Sequence, residues 1–226
     1  MQGMAGSCVD PAVRFMLARG EKMVLSKSMA TEQRDWNQYY LEGHTPWDKG
    51  APSPALLEVI TSGELPAQSE VLVPGCGYGH DVRALAQAGC LVTGLDVSAT
   101  ALATAKLANG IEGARYQEAD FFDAELAEEK RYDVIWEHTC FCAITPDERD
   151  AYVDAAHRLL VPQGLLIGVF FAFAEDPNGD GPPFKTNIET IHRHFSKRFA
   201  LEWERLPKKH FPTREGEEWL MCWRRS

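Results

Sequence analysis

The sequence predicts an α/β fold: a single Rossmann-like, doubly wound and mainly parallel sheet of seven strands, with helices on both faces. The first observation behind this prediction is that seven short apolar runs alternate with helix-like segments along the 226 residues. The second is a glycine-rich turn, Gly75 to Gly79, which follows the first run. The third is Asp96, an acid at the end of the second run, about 20 residues past the first glycine. This order predicts a nucleotide-type ligand at the carboxyl ends of the strands.

Each predicted element rests on its apolar pattern and on the turn or cap residues beside it. Strands are expected at 71–73, 91–95, 114–119, 132–137, 164–173, 199–206 and 219–223. Helices are expected at 31–41, 54–61, 99–108, 146–160 and 187–195, and a further helix-like stretch follows the glycine turn. Thr31, Ser53 and Ser98 stand at N-cap positions, where Ser and Thr are favoured because their oxygens accept a hydrogen bond from the first turn.

Composition limits the classes of partner and the cell compartment. The formal net charge is −10 and adjoining basic residues occur only in pairs, so we expect neither nucleic acid nor a membrane surface as a partner. The six cysteines form no Cys-x-x-Cys pair, which predicts no metal site and suits the reducing cytoplasm. Arg14 interrupts the apolar stretch near the N-terminus, so we expect residues 1–30 to be a helical or flexible extension rather than a signal peptide. Residues 31–226 then form the functional domain.

The glycine turn narrows the choice of ligand. A dinucleotide fingerprint reads G-x-G-x-x-G, but here His80 stands where the third glycine belongs, after Gly75 and Gly77. The turn also lacks the lysine of a phosphate-binding P-loop. A turn that approaches an adenosine group without cradling phosphates suits S-adenosylmethionine (SAM), and the alternative is a plain strand-to-helix connection. Asp96 is placed to accept hydrogen bonds from a ribose diol.

Several longer segments extend this prediction to a family. TPWDKGAPSP, VPGCGYGHDV, GLDVS, ADFF, YDVIWEHTCFCAI and GPPFK together resemble the thiopurine methyltransferase family, and within it the halide and thiol methyltransferase branch. The resemblance runs from about Trp36 to the C-terminus. It implies a class I SAM-dependent methyltransferase that produces S-adenosylhomocysteine and methylates a small, soft nucleophile. The expected acceptor is a thiol, with halide as a further candidate, and the expected assembly is a monomer or a weak homo-oligomer.

The resemblance also implies roles for individual residues. Those assigned to the cofactor are Trp36, Tyr40, Trp47, Gly75, Gly77, Asp96, Val97, Asp120, Phe121, Glu137 and His138. The tryptophans cover the cofactor from the N-terminal segment, where ring faces attract the sulfonium cation. Asp120 and Phe121 hold the adenine, with the Phe121 ring as a stacking face. Phe122 is expected in the core.

For the residues near the methyl acceptor, the resemblance leaves two possible roles open. His138 is either a structural histidine or the base that takes a proton from a thiol, and Arg149 is either a surface residue or an active-site arginine. Phe141 and Phe184 are expected to line the substrate pocket. Tyr40 and His138 stand where the halide and thiol branch has a tryptophan and a tyrosine, and these two departures bear on the substrate more than on the cofactor. An O- or N-methyltransferase and a non-catalytic SAM-binding module therefore remain alternatives.

Overall fold

The seven strands of the computed structural model form one sheet in the order β3-β2-β1-β4-β5-β7-β6. The structure describes residues 34–108, 111–173, 181–212 and 214–226, except for the side chain of residue 129. The strands are β1 (Glu70–Pro74), β2 (Leu91–Asp96), β3 (Ala114–Glu118), β4 (Tyr132–His138), β5 (Leu160–Phe171), β6 (Phe199–Arg205) and β7 (Glu218–Arg225). Strands β1 to β5 are parallel to one another, and β7 runs antiparallel to both β5 and β6. The predicted fold class is confirmed.

Two of the described helices precede β1 and the others lie between strands along the chain. They are α1 (Trp36–Leu41), α2 (Pro54–Ser62), α3 (His80–Gln87), α4 (Ala99–Leu107), α5 (Leu126–Glu129), α6 (Arg149–Leu159) and α7 (Ile188–Phe195). Ser98 caps α4 as predicted, because its side chain accepts from the Ala101 amide at 3.1 Å. Asp35 caps α1 by accepting from the Gln38 amide at 3.1 Å, whereas the expected cap Thr31 lies outside the described residues. Ser53, expected to cap the helix that begins at Pro54, makes no side-chain cap hydrogen bond to it.

Several element boundaries differ from the prediction, most clearly around α6 and β5. The helix expected at 146–160 is divided into a 3-10 turn, Pro146–Glu148, followed by α6. Strand β5 begins at Leu160, four residues earlier than expected, because Leu160 already pairs with Tyr132. Pro162 interrupts the ladder there, and the pairing shifts in register before Val134 meets Leu165.

The sheet separates two hydrophobic cores, one on each face. Ile135, Phe170 and Trp223 point to the face covered by α6 and α7. Trp136, Ile167 and Leu220 point to the face covered by α2 and α3. Since successive side chains of a strand alternate, the last two residues of β4, Glu137 and His138, face opposite sides of the sheet.

Residues 35–226 form one compact unit. The extension predicted for residues 1–30 lies outside the described residues, so that division of the chain stays a prediction. None of the helices in the described ranges is both long enough and apolar enough to cross a bilayer.

Candidate active site

The glycine turn connects β1 to α3 and bends its backbone in a way that favours glycine. Gly75 and Gly77 have φ angles of 59° and 51°, in the left-handed region. A Cβ on Gly77 would lie 2.7 Å from the Tyr40 hydroxyl, and one on Gly75 would lie 3.3 Å from the Cys140 side chain. The turn therefore brings bare backbone close to α1 and to the segment that follows β4.

Asp96 closes β2 beside this turn and is only 7% exposed. One carboxylate oxygen accepts from the Gly77 amide at 2.8 Å, and the other accepts from the Ser98 amide at 2.9 Å. Burial raises the pKa of Asp96, and the backbone amides oppose that rise. A carboxylate offers about four acceptor positions, so each oxygen keeps capacity for another donor. This arrangement fits the ribose diol of SAM, and Val97, which is 46% exposed, follows at the rim.

An aromatic cap, defined here as Trp36, Tyr39, Tyr40, Trp47 and Tyr78, covers the turn. The Trp47 indole donates to the Tyr40 hydroxyl at 3.2 Å. The Tyr40 ring lies 5.1 Å from that of Tyr78, and the Trp36 ring lies 5.5 Å from that of Trp47. Burial raises the pKa of Tyr40, so its hydroxyl stays neutral. Such a cluster of π faces suits a sulfonium cation.

Two polar contacts that the sequence reasoning missed hold the cap in place. The Asn37 side-chain oxygen accepts from the Ser98 hydroxyl and the Thr100 amide, each at 3.0 Å, and so docks α1 on the start of α4. Asp48 lies 3.1 Å from Nε2 of His80. Asp48 belongs to the TPWD segment already singled out, but no local pattern marks Asn37, whose partners are more than 60 residues away.

The segment after β3 differs in detail from the expectation. Asp120 is exposed, and its side chain accepts from the Phe122 amide at 2.9 Å. Phe121 is 6% exposed, and its ring lies 4.8 Å from that of Tyr152 in the core. The ring predicted as a stacking face is thus a core residue, while Phe122 is the more exposed of the two. Any contact of Phe121 with a ligand at this edge would come through its backbone.

Glu137 shapes the turn that follows β4. One of its oxygens accepts from the amides of Cys140 at 3.0 Å and Phe141 at 2.8 Å, and the other accepts from the Tyr152 hydroxyl. The residue is 1% exposed, and burial raises the pKa of its carboxyl. Burial and the nearby Glu137 also raise the pKa of the Cys140 thiol well above its usual range. Glu137 therefore fixes the turn that places the Cys140 side chain beside Gly75.

His138 faces the other side of the sheet and contacts α3. Its Nδ1 lies 2.9 Å from Oδ2 of Asp81, which belongs to the first turn of α3 and was not singled out in the sequence. Asp81 directly follows the glycine turn and His80, so the pair lies next to the predicted cofactor site. His138 thus has a charged partner beside the glycine turn.

Arg149 is 3% exposed and so is not a surface residue. One of its terminal nitrogens donates to the carbonyls of Phe184 at 3.2 Å and Lys185 at 3.3 Å. Its guanidinium carbon lies 5.4 Å from the centre of the Phe141 ring. Arg149 therefore fixes the loop that carries Phe184, which is half-buried. Phe141, by contrast, is 2% exposed and packs in the core among Tyr152 and Phe195 rather than on a pocket wall.

The glycine turn brings together Asp96, the aromatic cap and, through Asp81, His138, whereas the rings of Phe121 and Phe141 pack in the core. A family model described as thiopurine S-methyltransferase matches residues 31–211. Thiocyanate methyltransferase 1 of Arabidopsis thaliana is 34% identical over 200 residues, which are 86% of each chain. A probable thiol methyltransferase 2 of the same plant is 37% identical over 162 residues, 70% of each chain.

Solved structures agree with these sequence matches. A chain in the structure described as "Conversion of a Disulfide Bond into a Thioacetal Group during Echinomycin Biosynthesis" superposes with a TM-score of 0.64 and 28% identity, over 80% of this chain and 85% of its own. The sheet order and these matches lead to the same conclusion about the family. The chain belongs to the thiopurine S-methyltransferase family and is a SAM-dependent S-methyltransferase.

Proposed function

We propose that this enzyme methylates a small sulfur nucleophile, best a low-molecular-weight thiol in its thiolate form, with thiocyanate as a related acceptor and halides as weaker ones. The single observation that carries the proposal is the enclosure of the glycine turn by the aromatic cap, with Tyr40 against Gly77. Such an enclosure suits a small, polarisable acceptor. The names of the thiocyanate and thiol methyltransferase relatives support the same acceptor class.

The residues assigned to the cofactor suit SAM. Asp96 and the backbone of Gly75 and Gly77 would hold the ribose and the amino-acid part, since the carboxylate keeps acceptor capacity and the turn presents bare backbone. Asp120 and the backbone of Phe121 would hold the adenine. When bound, SAM supplies a methyl group activated by the positive sulfur.

The protein's own contribution is to position the acceptor and to exclude water. The rings of Trp36, Tyr40 and Trp47 form the wall that would exclude water from a soft anion beside a cation. Arg149 would act as a positioning residue, because it anchors the backbone of Phe184 and Lys185, in the loop predicted to line the substrate pocket. Glu137 supports the adjoining turn, and His138 faces the acceptor.

The setting proposed for this reaction is the reducing cytoplasm, with the enzyme as a monomer or weak homo-oligomer that has no nucleic-acid or membrane partner. The five cysteines among the described residues are free thiols, which supports a reducing compartment. Burial raises the pKa of Cys142 to about 12 and that of Cys222 to about 12, so both stay protonated and unreactive.

The experiment is a competition among acceptors at equal concentration, with SAM carrying a labelled methyl group. The panel contains low-molecular-weight thiols, thiocyanate, iodide, a phenol and an amine. We expect the highest kcat/KM for a thiol, with iodide much lower. Faster methylation of the phenol or the amine would overturn the proposed acceptor, and binding of SAM without turnover of any acceptor would indicate a non-catalytic module.

A further inference from the structure

Asp81 is a buried carboxylate whose donors all come from other parts of the chain. It is 8% exposed. Oδ1 accepts from the Ser53 amide at 2.7 Å, while Oδ2 accepts from the Trp136 indole at 2.8 Å and lies 2.9 Å from Nδ1 of His138. Burial alone would raise the pKa of Asp81, but the charge of His138 and these hydrogen bonds lower it below its usual value. Asp81 is therefore ionised, and Nδ1 of His138 carries a proton.

The other ring nitrogen of His138 is enclosed and has no hydrogen-bond partner among the residues that the structure describes. The ring is nearly parallel to that of Phe211, with centres 6.3 Å apart, and the side chain as a whole keeps 16% of its exposure. A buried polar atom without a partner destabilises a fold, so its presence points to a ligand that completes its hydrogen bonding. Nε2 lies on a ring that Asp81 ties to the first turn after the glycine turn.

The charged groups around His138 determine whether Nε2 carries a proton. They are Asp81 on α3, Glu137 on β4, Arg214 in the loop before β7 and Glu218 on β7. Arg214 and Glu218 lie 3.0 Å apart and largely neutralise each other, and Glu137 is engaged on the opposite face. Burial lowers the pKa of His138, but the charge and hydrogen bond of Asp81 outweigh burial and raise it.

We propose that Asp81 holds His138 as an imidazolium whose Nε2–H binds the anionic sulfur of the acceptor. This inference rests on the proposed function. It adds that the enzyme selects the acceptor in its anionic form. His138 is then an anion-binding residue rather than a base, its proton stays on Nε2 throughout, and the thiol arrives as its thiolate. Asp81 is the positioning residue that fixes the ring and its charge.

Thiocyanate tests this directly, because it remains an anion at every pH used and has no proton to lose. Its dissociation constant from the enzyme–S-adenosylhomocysteine complex is measured by calorimetry from about pH 5.5 to about pH 9. We expect tight binding at low pH and a loss of about tenfold per pH unit once His138 loses its proton. The pKa of that loss should match the pKa of His138 followed by NMR in the same complex.

Two substitutions separate this role from a structural one. In His138→Asn the side-chain amide can still donate to Asp81 while Nε2 is removed, so thiocyanate affinity should fall at least tenfold and lose its pH dependence. In Asp81→Asn the pKa of His138 should fall, and thiocyanate binding lost at neutral pH should return as the pH is lowered. His157→Gln, which removes an imidazole from the last turn of α6, should change neither property.

The outcomes distinguish this inference from the proposed function. If wild-type enzyme methylates thiols but binds thiocyanate with the same affinity across the pH range, or does not bind it at all, the imidazolium assignment is wrong and the function stands. If Asp81→Asn does not fold, the NMR titration of His138 in the wild-type enzyme still tests the imidazolium assignment. A pKa of His138 below its usual value would overturn that assignment. If no sulfur acceptor is methylated at all, the proposed function fails first.

Discussion

Glu137 and His138 are neighbours at the end of β4, both ionisable and both largely buried, yet their side chains have opposite surroundings. Glu137 has three donors around its two oxygens, all from the turn after β4 and from Tyr152. His138 has one partner, Asp81, and a second nitrogen with none among the described residues. The strand's alternation sends the first into a packed core and the second toward the glycine turn.

The number of hydrogen bonds that a buried polar group makes inside the protein helps to distinguish a structural role from a functional one at this edge of the sheet. A buried group whose hydrogen bonds are satisfied inside the protein contributes to stability, whereas one with capacity left is available to a ligand. Asp96 is intermediate, because each of its oxygens has one backbone donor and retains further capacity. Removal of Glu137 should therefore change mainly the stability of the protein, and removal of Asp96 mainly its affinity for the cofactor.

The largest expected effect is on stability and comes from Glu137. Glu137→Ala leaves two amides and a hydroxyl buried without an acceptor, so the free energy of unfolding should fall by roughly 3 kcal/mol or more. Glu137→Gln keeps an oxygen for the two amides and should cost no more than about 1 kcal/mol. Urea denaturation of both variants makes the comparison. Equal losses for the two variants would show that the hydrogen bonds do not account for the effect.

A smaller expected effect is on cofactor affinity and comes from Asp96. Asp96→Ala removes the proposed acceptor for the ribose diol, so binding of SAM should weaken by roughly 1.5–3 kcal/mol, the scale of a hydrogen bond to a charged group. Calorimetry with SAM and S-adenosylhomocysteine measures the loss. The His157→Gln variant is the control, since His157 lies in the last turn of α6 and the variant should bind both with unchanged affinity. An unchanged affinity in Asp96→Ala would remove Asp96 from the cofactor site.

The smallest expected effect is on the docking of α1. Asn37→Ala deletes the acceptor for Ser98 and Thr100, so local opening of α1 should become easier by about 1 kcal/mol. Amide exchange of residues 36–41 should then be about fivefold faster. Gln38→Ala, on the same helix, removes only an exposed bond to Glu42 and should change exchange little. Exchange that is no faster in Asn37→Ala than in Gln38→Ala would show that the two Asn37 hydrogen bonds do not hold α1 in place.

Much of the fold follows from local sequence. The glycine turn, the Ser98 cap and the apolar runs each depend on a few neighbouring residues, and the structure confirms them. The start of β5 was misplaced because pairing of Leu160 with Tyr132 is a tertiary contact that overrides the helical pattern. Likewise, the choice between Phe121 and Phe122 as the core ring depends on the direction of the chain after β3, which two adjacent aromatic residues do not reveal.

The site shows the same limit. Asp96 could be identified because its position relative to the turn is encoded within one β-α-β unit. Asp81 was missed because its three donors lie 28, 55 and 57 residues away in the sequence. The sheet topology could have revealed the contact. Helix α3 follows β1, and β4 is the parallel neighbour of β1, so an acid in the first turn of α3 and a histidine at the end of β4 should meet at the carboxyl edge of the sheet.

The central claim is that His138 binds the acceptor while its neighbour Glu137 stabilises the fold. The variant His138→Asn tests this claim most directly. Two quantities are measured on this variant and on wild type: kcat/KM for thiocyanate and the free energy of unfolding in urea. We expect kcat/KM to fall at least tenfold in a variant that is still folded at the assay temperature, because the hydrogen bond to Asp81 is kept although the positive charge is lost. Full activity, or a loss of activity only in step with a loss of stability, would contradict it.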